Sequence, residues 1–324
     1  MKKFLAFVLA MCMLMSCAAL AEEADTQLIS LTTGLPTDHE YKAMAVQFDN
    51  TPDARPQMNM SAADVIYELE IANGGYTRYT AIFNDEIPET VEAVRSARIM
   101  HADVTRDWSA TFVHFGGQQM SGSSVYDYMS KIGLDHFDGL SDSTNFYRDK
   151  NRVAPYNAVG KLKQMYDSTT APDAASVHTP LVFSADNPTV KGDDVTTFRI
   201  PYSSSYTPSY EYLADQGVYR RYYNRSEMKD GVTGGYYECA NVIVMTADYS
   251  WYDGASDRPI VELLNTSNTC EYFIGGKHFT GTWSRGGVDE STMYFDDEGN
   301  IVNFATGKTF IQVVKPSVEI EIVE

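Results

Sequence analysis

The residues best suited to chemistry lie in one stretch, Val91 to Tyr128, which carries Arg95, Ser96, Arg98, His114, Gly116 and Gly117. Guanidinium groups bind carboxylate and phosphate oxygens through a planar fork. A glycine-rich loop that opens a helix presents free backbone N–H groups and the positive end of a dipole. Together these types describe an anion site, with His114 as a candidate acid or base. The loop GGQQMSGSS lacks the G-x-x-x-x-G-K-[ST] spacing of a P-loop, so its glycines alone say little. Arg148 and Arg152, four apart, either clamp an anion or lock loops through carboxylates. Arg78 is a further candidate ligand-binding cation. Glu68 and Glu70 share one strand face and could do acid–base work, although a solvated face is the commoner explanation. On the window alone, a core His114 and acid-paired arginines outweigh a site.

The elements that position these groups follow from apolar spacing. Ser96 is the expected N-cap of a helix carrying Met100, Val104 and Trp108 on one face. Ala110 to Phe115 suits a buried strand, and Val125 and Tyr128 share a second helical face. Tyr41 to Phe48 alternates as a strand. Ile66 to Ala72 and Tyr76 to Phe83 flank Asn73-Gly74-Gly75 as a hairpin. A short helix is expected after Pro155 and Asn157, ending near Tyr166. From Thr197 the texture is β, with a buried run at Asn241 to Met245 and a second hairpin around Gly275-Gly276. The Ser/Thr/Asp/Pro-rich segment 171–196 reads as a connector between domains at 30–170 and 197–318.

Composition limits the function classes. A net charge of −19 excludes a general nucleic-acid binder, which needs a basic face. It also argues against charge-driven adhesion to anionic lipid. Residues 1–21 have the form of a secretory signal, with Lys2 and Lys3 before the apolar run Phe4 to Met15. Cleavage at Ala19-Leu20-Ala21 would release a soluble product starting at Glu22. Leu14-Met15-Ser16-Cys17 resembles a lipobox, which would leave Cys17 acylated and provide the only membrane attachment. Removal of the two lysines takes the charge from −19 to −21. Cys239 and Cys270 remain, and export permits a disulfide between them, with two buried thiols as the alternative. The six histidines are scattered and no CxxC occurs, so neither a metal site nor a cofactor is expected.

Several motifs resemble those of the YerB-like family of bacterial exported lipoproteins, a domain of unknown function with N- and C-terminal parts. They are RPQMNMSAADVIYELEIANGGYTRYTAIF at 55–83, VRSARIMHADVTRDWSATFVHFGG at 94–117 and FYRDKNRVAPYNAV at 146–159. NVIVM at 241–245, GTWSR at 281–285 and GKTFIQVV at 307–314 resemble the C-terminal part. The resemblance implies export and often a lipid anchor, and implies no reaction. Asn73 and Tyr156 stand where relatives tend to carry Glu and His, so an activity resting on either would be impaired here.

The expected fold is α+β, a mixed αβ N-terminal domain with a mostly β C-terminal domain packed against it. The expected function is binding of an anionic cell-wall ligand in an Arg/His pocket. A scaffold for an envelope protein comes second. A hydrolase using His114 or Glu68 comes third, since no G-x-S-x-G nucleophile motif supports it.

Overall fold

The computed structural model describes residues 27–120, 123–252 and 255–323. The expected signal sequence and the candidate lipidation residue Cys17 lie outside the described residues. In chain order the elements used below are β1 (Met44–Asp49), β2 (Val65–Ala72), β3 (Tyr76–Phe83), α1 (Ile99–Asp107), β4 (Thr111–His114), α2 (Val125–Lys131) and β5 (His136–Asp138). They continue as α3 (Leu162–Ser168), β6 (Thr197–Arg199), β7 (Ser209–Leu213), β8 (Val218–Tyr223), β9 (Asn241–Thr246), β10 (Tyr249–Tyr252) and β11 (Ala255–Val261). The last four are β12 (Thr266–Ile274), β13 (Lys277–Arg285), β14 (Met293–Asp296) and β15 (Thr309–Val314). The fold is mostly β with few helices.

An 11-stranded sheet forms the spine, in the order β5-β4-β1-β3-β2-β15-β9-β12-β13, with Asp193–Asp194 and β14 both pairing with β13. The last long strand, β15, lies parallel between β2 and β9. Strands on either side of the 171–196 segment therefore share one set of ladder hydrogen bonds, and that segment does not divide the sheet. Most of these strands are buried on both faces, which is why runs such as NVIVM are apolar without a break.

Strand parity assigns the faces. Met44, Val46 and Phe48 join Tyr79, Ala81, Val242, Val244 and Phe310 on one face. There they meet a second sheet built around β6, β7 and β8, where Phe198 stacks on Phe273 with ring centroids 3.5 Å apart. Ala45, Tyr67, Leu69, Ile243, Ile311 and Val313 point to the opposite face, against Met100, Val104 and Trp108 of the α1 region. The Trp108 indole donates to the Tyr67 hydroxyl at 3.1 Å and the Trp283 indole to the Thr246 carbonyl at 2.7 Å, so neither large ring on that face leaves a buried N–H unsatisfied. Both hairpins form where the glycine pairs place them, with Gly74 and Gly75 at φ 94° and 80°.

The Cys239–Cys270 bridge does not form: both are free and buried. Cys270 sits opposite Met245 near the far end of β9, whereas Cys239 precedes β9 and pairs with Tyr219 of β8 in the second sheet. The two belong to separate hydrophobic clusters. Disulfide geometry needs Cα atoms within about 7 Å. Burial pushes the Cys239 thiol up to about 12 and the Cys270 thiol higher still. We expect neither thiol to react with an aromatic disulfide reagent in the native protein, and both to react after denaturation. Native reaction of either one would contradict the packing.

Candidate functional site

Parity also builds the site. Gln47 and Asp49 on β1 pair with Thr80 and Arg78 on β3, and all four point to the face that carries α1. The chain segment 95–98 crosses the end of these strands, where Arg95 N–H bonds the Gln47 carbonyl and Ala97 N–H bonds the Gly116 carbonyl. This brings Arg78, Arg95, Ser96 and Arg98 together. Arg95 Nε donates to Asp49 Oδ2 at 2.9 Å, and Arg78 Nε lies 3.8 Å from the same oxygen. Arg78 and Arg98 both donate to the Ser96 carbonyl. Two guanidinium groups thus share one carboxylate, and a third, Arg98, joins Arg78 on the Ser96 carbonyl. Asp49 is already occupied, since its Oδ1 accepts the Thr51 N–H and hydroxyl.

The electrostatics follow. Two unit charges about 5 Å apart repel by on the order of 3 kcal/mol at an effective dielectric near 20. Burial and then the Arg98 charge hold the Arg78 guanidinium below its ordinary value. Burial, then Arg258 and Arg95, lower Arg98 to about 10. Arg258 comes from β11, so the C-terminal half adds a fourth cation, with Tyr252 of β10 beside it. Arg78 is buried, while Arg95 keeps 26 % of its side chain exposed and Arg98 is half-buried, so the cluster reaches solvent.

Sequence reasoning missed four contributors: Asp49, Gln47, His101 and Gln118. Gln47 and Asp49 were visible as polar residues in an otherwise apolar strand, a pattern that marks a buried polar cluster or a strand end. His101 replaces Ser96 in the expected capping role. The N-cap is Arg98, whose backbone N–H donates to His101 Nδ1 at 3.2 Å. Ser96 lies two residues earlier, and its contribution is its carbonyl. Gln47 Nε2, Arg78 Nε, His101 Nε2 and Gln118 Nε2 are all buried with no hydrogen-bond partner among the described residues. An unpaired buried donor costs about 1–3 kcal/mol, so four on segments joined through Arg95 and Ala97 demand an explanation.

The other candidates have structural work. His114 is a core histidine: one ring nitrogen bonds the Gly116 carbonyl at 2.9 Å and the other meets His136 Nδ1 at 3.0 Å. Burial lowers it to about 4, so it is neutral and already engaged. Gly116 has φ 77° and donates its N–H to Asp138. Gly117 packs so closely that a Cβ would sit 2.5 Å from Val125, and the Ser124 hydroxyl caps α2 by accepting the Asp127 N–H. Arg148 donates to Asn157 Oδ1 at 2.8 Å and lies over Phe115. Arg152 bonds the Ala54 and Pro56 carbonyls and approaches Glu92 at 3.6 Å. Both arginines therefore tie loops and do not join the cluster. Tyr156 lies beneath Arg95, 5.8 Å from the guanidinium, whereas the Asn73 N–H bonds Asp257 across the turn.

Glu68 does not stand on a solvated strand face but in a buried ion pair. It is fully buried, pairs with buried Arg221 at 2.6 Å, and accepts from Asn50, Thr77 and Tyr206. Among the described residues no His, Cys, Asp and Glu cluster could hold a metal. A cleft of about 230 Å³ lies elsewhere, beside Arg55 and Tyr206.

Comparison with known proteins agrees with the sequence resemblance. Residues 32–175 match the N-terminal domain and residues 198–311 the C-terminal domain of the family described as "Protein of unknown function (DUF3048)". The chain is 29% identical to "Putative lipoprotein YerB" of Bacillus subtilis (strain 168), over 97% of this chain and 96% of that one. It also superposes on the crystal structure of the Bacillus subtilis YerB protein with a TM-score of 0.77. That match has 25% identity and covers 91% of this chain and all of the other.

Proposed function

The chain belongs to the DUF3048 family, and from that premise we propose that it is an envelope protein that binds an anionic ligand at Arg78, Arg95 and Arg98. The relative's lipoprotein name supports the location, and the short apolar leader ending at Cys17 or Ala21 supports export. No helix among the described residues is long and apolar enough to cross a membrane. The observation that carries the ligand reading is the charge imbalance: three guanidinium groups against one occupied carboxylate, in a protein of net charge −19. A cluster that served packing alone would bring matching acids, and the rest of the surface has them to spare.

Arg98→Ala separates a binding site from a structural lock. At a site, removing one of several like charges leaves stability within about 1 kcal/mol of the parent. Affinity for anionic wall-polymer fragments then falls at least tenfold by calorimetry. If the arginine is a lock, the variant loses about 3–5 kcal/mol. That loss, with no binding by the parent protein, would sink the reading.

A further inference from the structure

We infer that the group this site takes is a phosphoryl group, not a carboxylate; the inference rests on the anion-binding reading above. The first argument is donor type. His101 Nδ1 accepts from the Arg98 backbone N–H, so the ring proton sits on Nε2. Burial, then the Arg78 and Arg98 charges, hold this ring well below its ordinary value and keep it neutral. Gln47 spends its carbonyl on the Thr80 hydroxyl at 3.0 Å, which leaves its amide N–H groups unpaired. Arg78 Nε and Gln118 Nε2 are donors as well. The unsatisfied groups are therefore uniformly N–H, and the nearby acceptors, Asp49 and the Ser96 and Ala97 carbonyls, are already engaged. A ligand here must be an acceptor throughout.

The second argument is number. A carboxylate brings two oxygens and one negative charge, too few for four unpaired nitrogens and the Arg95 fork. A phosphate monoester brings three terminal oxygens in a tetrahedral array, each able to accept more than one bond. It carries about −1.5 to −2 at neutral pH. Arg78, Arg95 and Arg98 less Asp49 leave a net +2, which that dianion matches. Arg258, exposed on β11 and close enough for its charge to act on Arg98, would meet whatever the phosphate is attached to.

The third argument is placement. Gln47, Asp49 and Arg78 are fixed by paired strands, and His101 by the first turn of α1. Gln47, Arg78 and His101 are thus pre-positioned on regular elements, which lowers the ordering cost of binding at those three donors.

The test uses the full mature chain and calorimetry at constant ionic strength, with inorganic phosphate, glycerol 1-phosphate and malonate as probes. Vesicles containing phosphatidic acid are compared with soluble glycerol 1-phosphate to distinguish a lipid headgroup from a free monoester. We expect phosphate or its monoester to bind at least tenfold more tightly than malonate. Gln47→Glu keeps the acceptor for Thr80 but replaces the donor with a charge, and should weaken phosphate binding at least tenfold with the fold intact. Arg95→Gln, on a half-exposed side chain, provides the same readout if Gln47→Glu does not fold. Malonate binding as tightly as phosphate would overturn the phosphoryl assignment and leave the anion site standing. No saturable binding of any probe would overturn both.

Discussion

Glu68→Gln should lower stability by about 3–5 kcal/mol, because it leaves the Arg221 guanidinium charged and unpaired in the core. Both side chains are fully buried. Arg221 also bonds the hydroxyls of Tyr206 and Tyr210, at 2.9 and 3.1 Å, and lies 5.1 Å from the Phe310 ring. Those groups orient the cation but do not neutralise it. Arg221→Met should cost a similar amount for the mirror reason, leaving a carboxylate with its Asn50, Thr77 and Tyr206 donors but no counter-charge. The double variant Glu68→Gln/Arg221→Met should recover part of the sum, since neither charge is then stranded. Chemical denaturation measures all three. Glu68 lies on β2 and Arg221 on β8, so the loss should appear in a single transition of the whole chain. A variant whose two halves melt separately, or a loss below about 1 kcal/mol, would contradict the packing described.

The second large effect concerns Asp49, the only carboxylate that the arginine cluster owns among the described residues. Asp49→Asn should destabilise by on the order of 3 kcal/mol, because Arg78 and Arg95 lose the charge they share. Burial pushes the Asp49 carboxyl up, but the Arg78 charge, the Thr51 bonds and the Arg95 charge together outweigh it and hold the group below the usual carboxylate range. A carboxyl depressed in the folded state contributes its full stability above the unfolded pKa, near 3.9, and loses it as pH falls through the folded value. The stability difference between parent and variant should therefore be flat from pH 7 to about pH 5 and close below pH 4. A difference that grows on acidification would show that the arginines stabilise Asp49 less than burial destabilises it. Bound phosphate should restore more stability to Asp49→Asn than to the parent, since the ligand supplies the missing charge.

Local physics alone determined a good part of this protein. Alternation and turn glycines placed the hairpins at Asn73-Gly74-Gly75 and Gly275-Gly276, because a side-chain period of two and a positive φ are properties of a few adjacent residues. Apolar spacing placed α1, and the motifs at 55–83, 94–117 and 146–159 identified the family. Parity was legible too: Gln47 and Asp49 had to share a face, as did Glu68 and Glu70. What parity cannot specify is which strand comes alongside. That choice depends on long loop closures and on filling two cores at once. Only the tertiary structure inserted β15 between β2 and β9, and so set Gln312 opposite Glu68 and made one sheet of two expected domains. The same long-range pairing sent Arg221 to Glu68, turning a candidate acid–base group into a structural ion pair. It left Cys239 and Cys270 on separate cores, and it sorted the arginines. Arg148 and Arg152, four apart in sequence, became loop ties, while Arg78, distant from Arg95 in the chain, became its neighbour because β1 and β3 pair with Asp49 opposite Arg78.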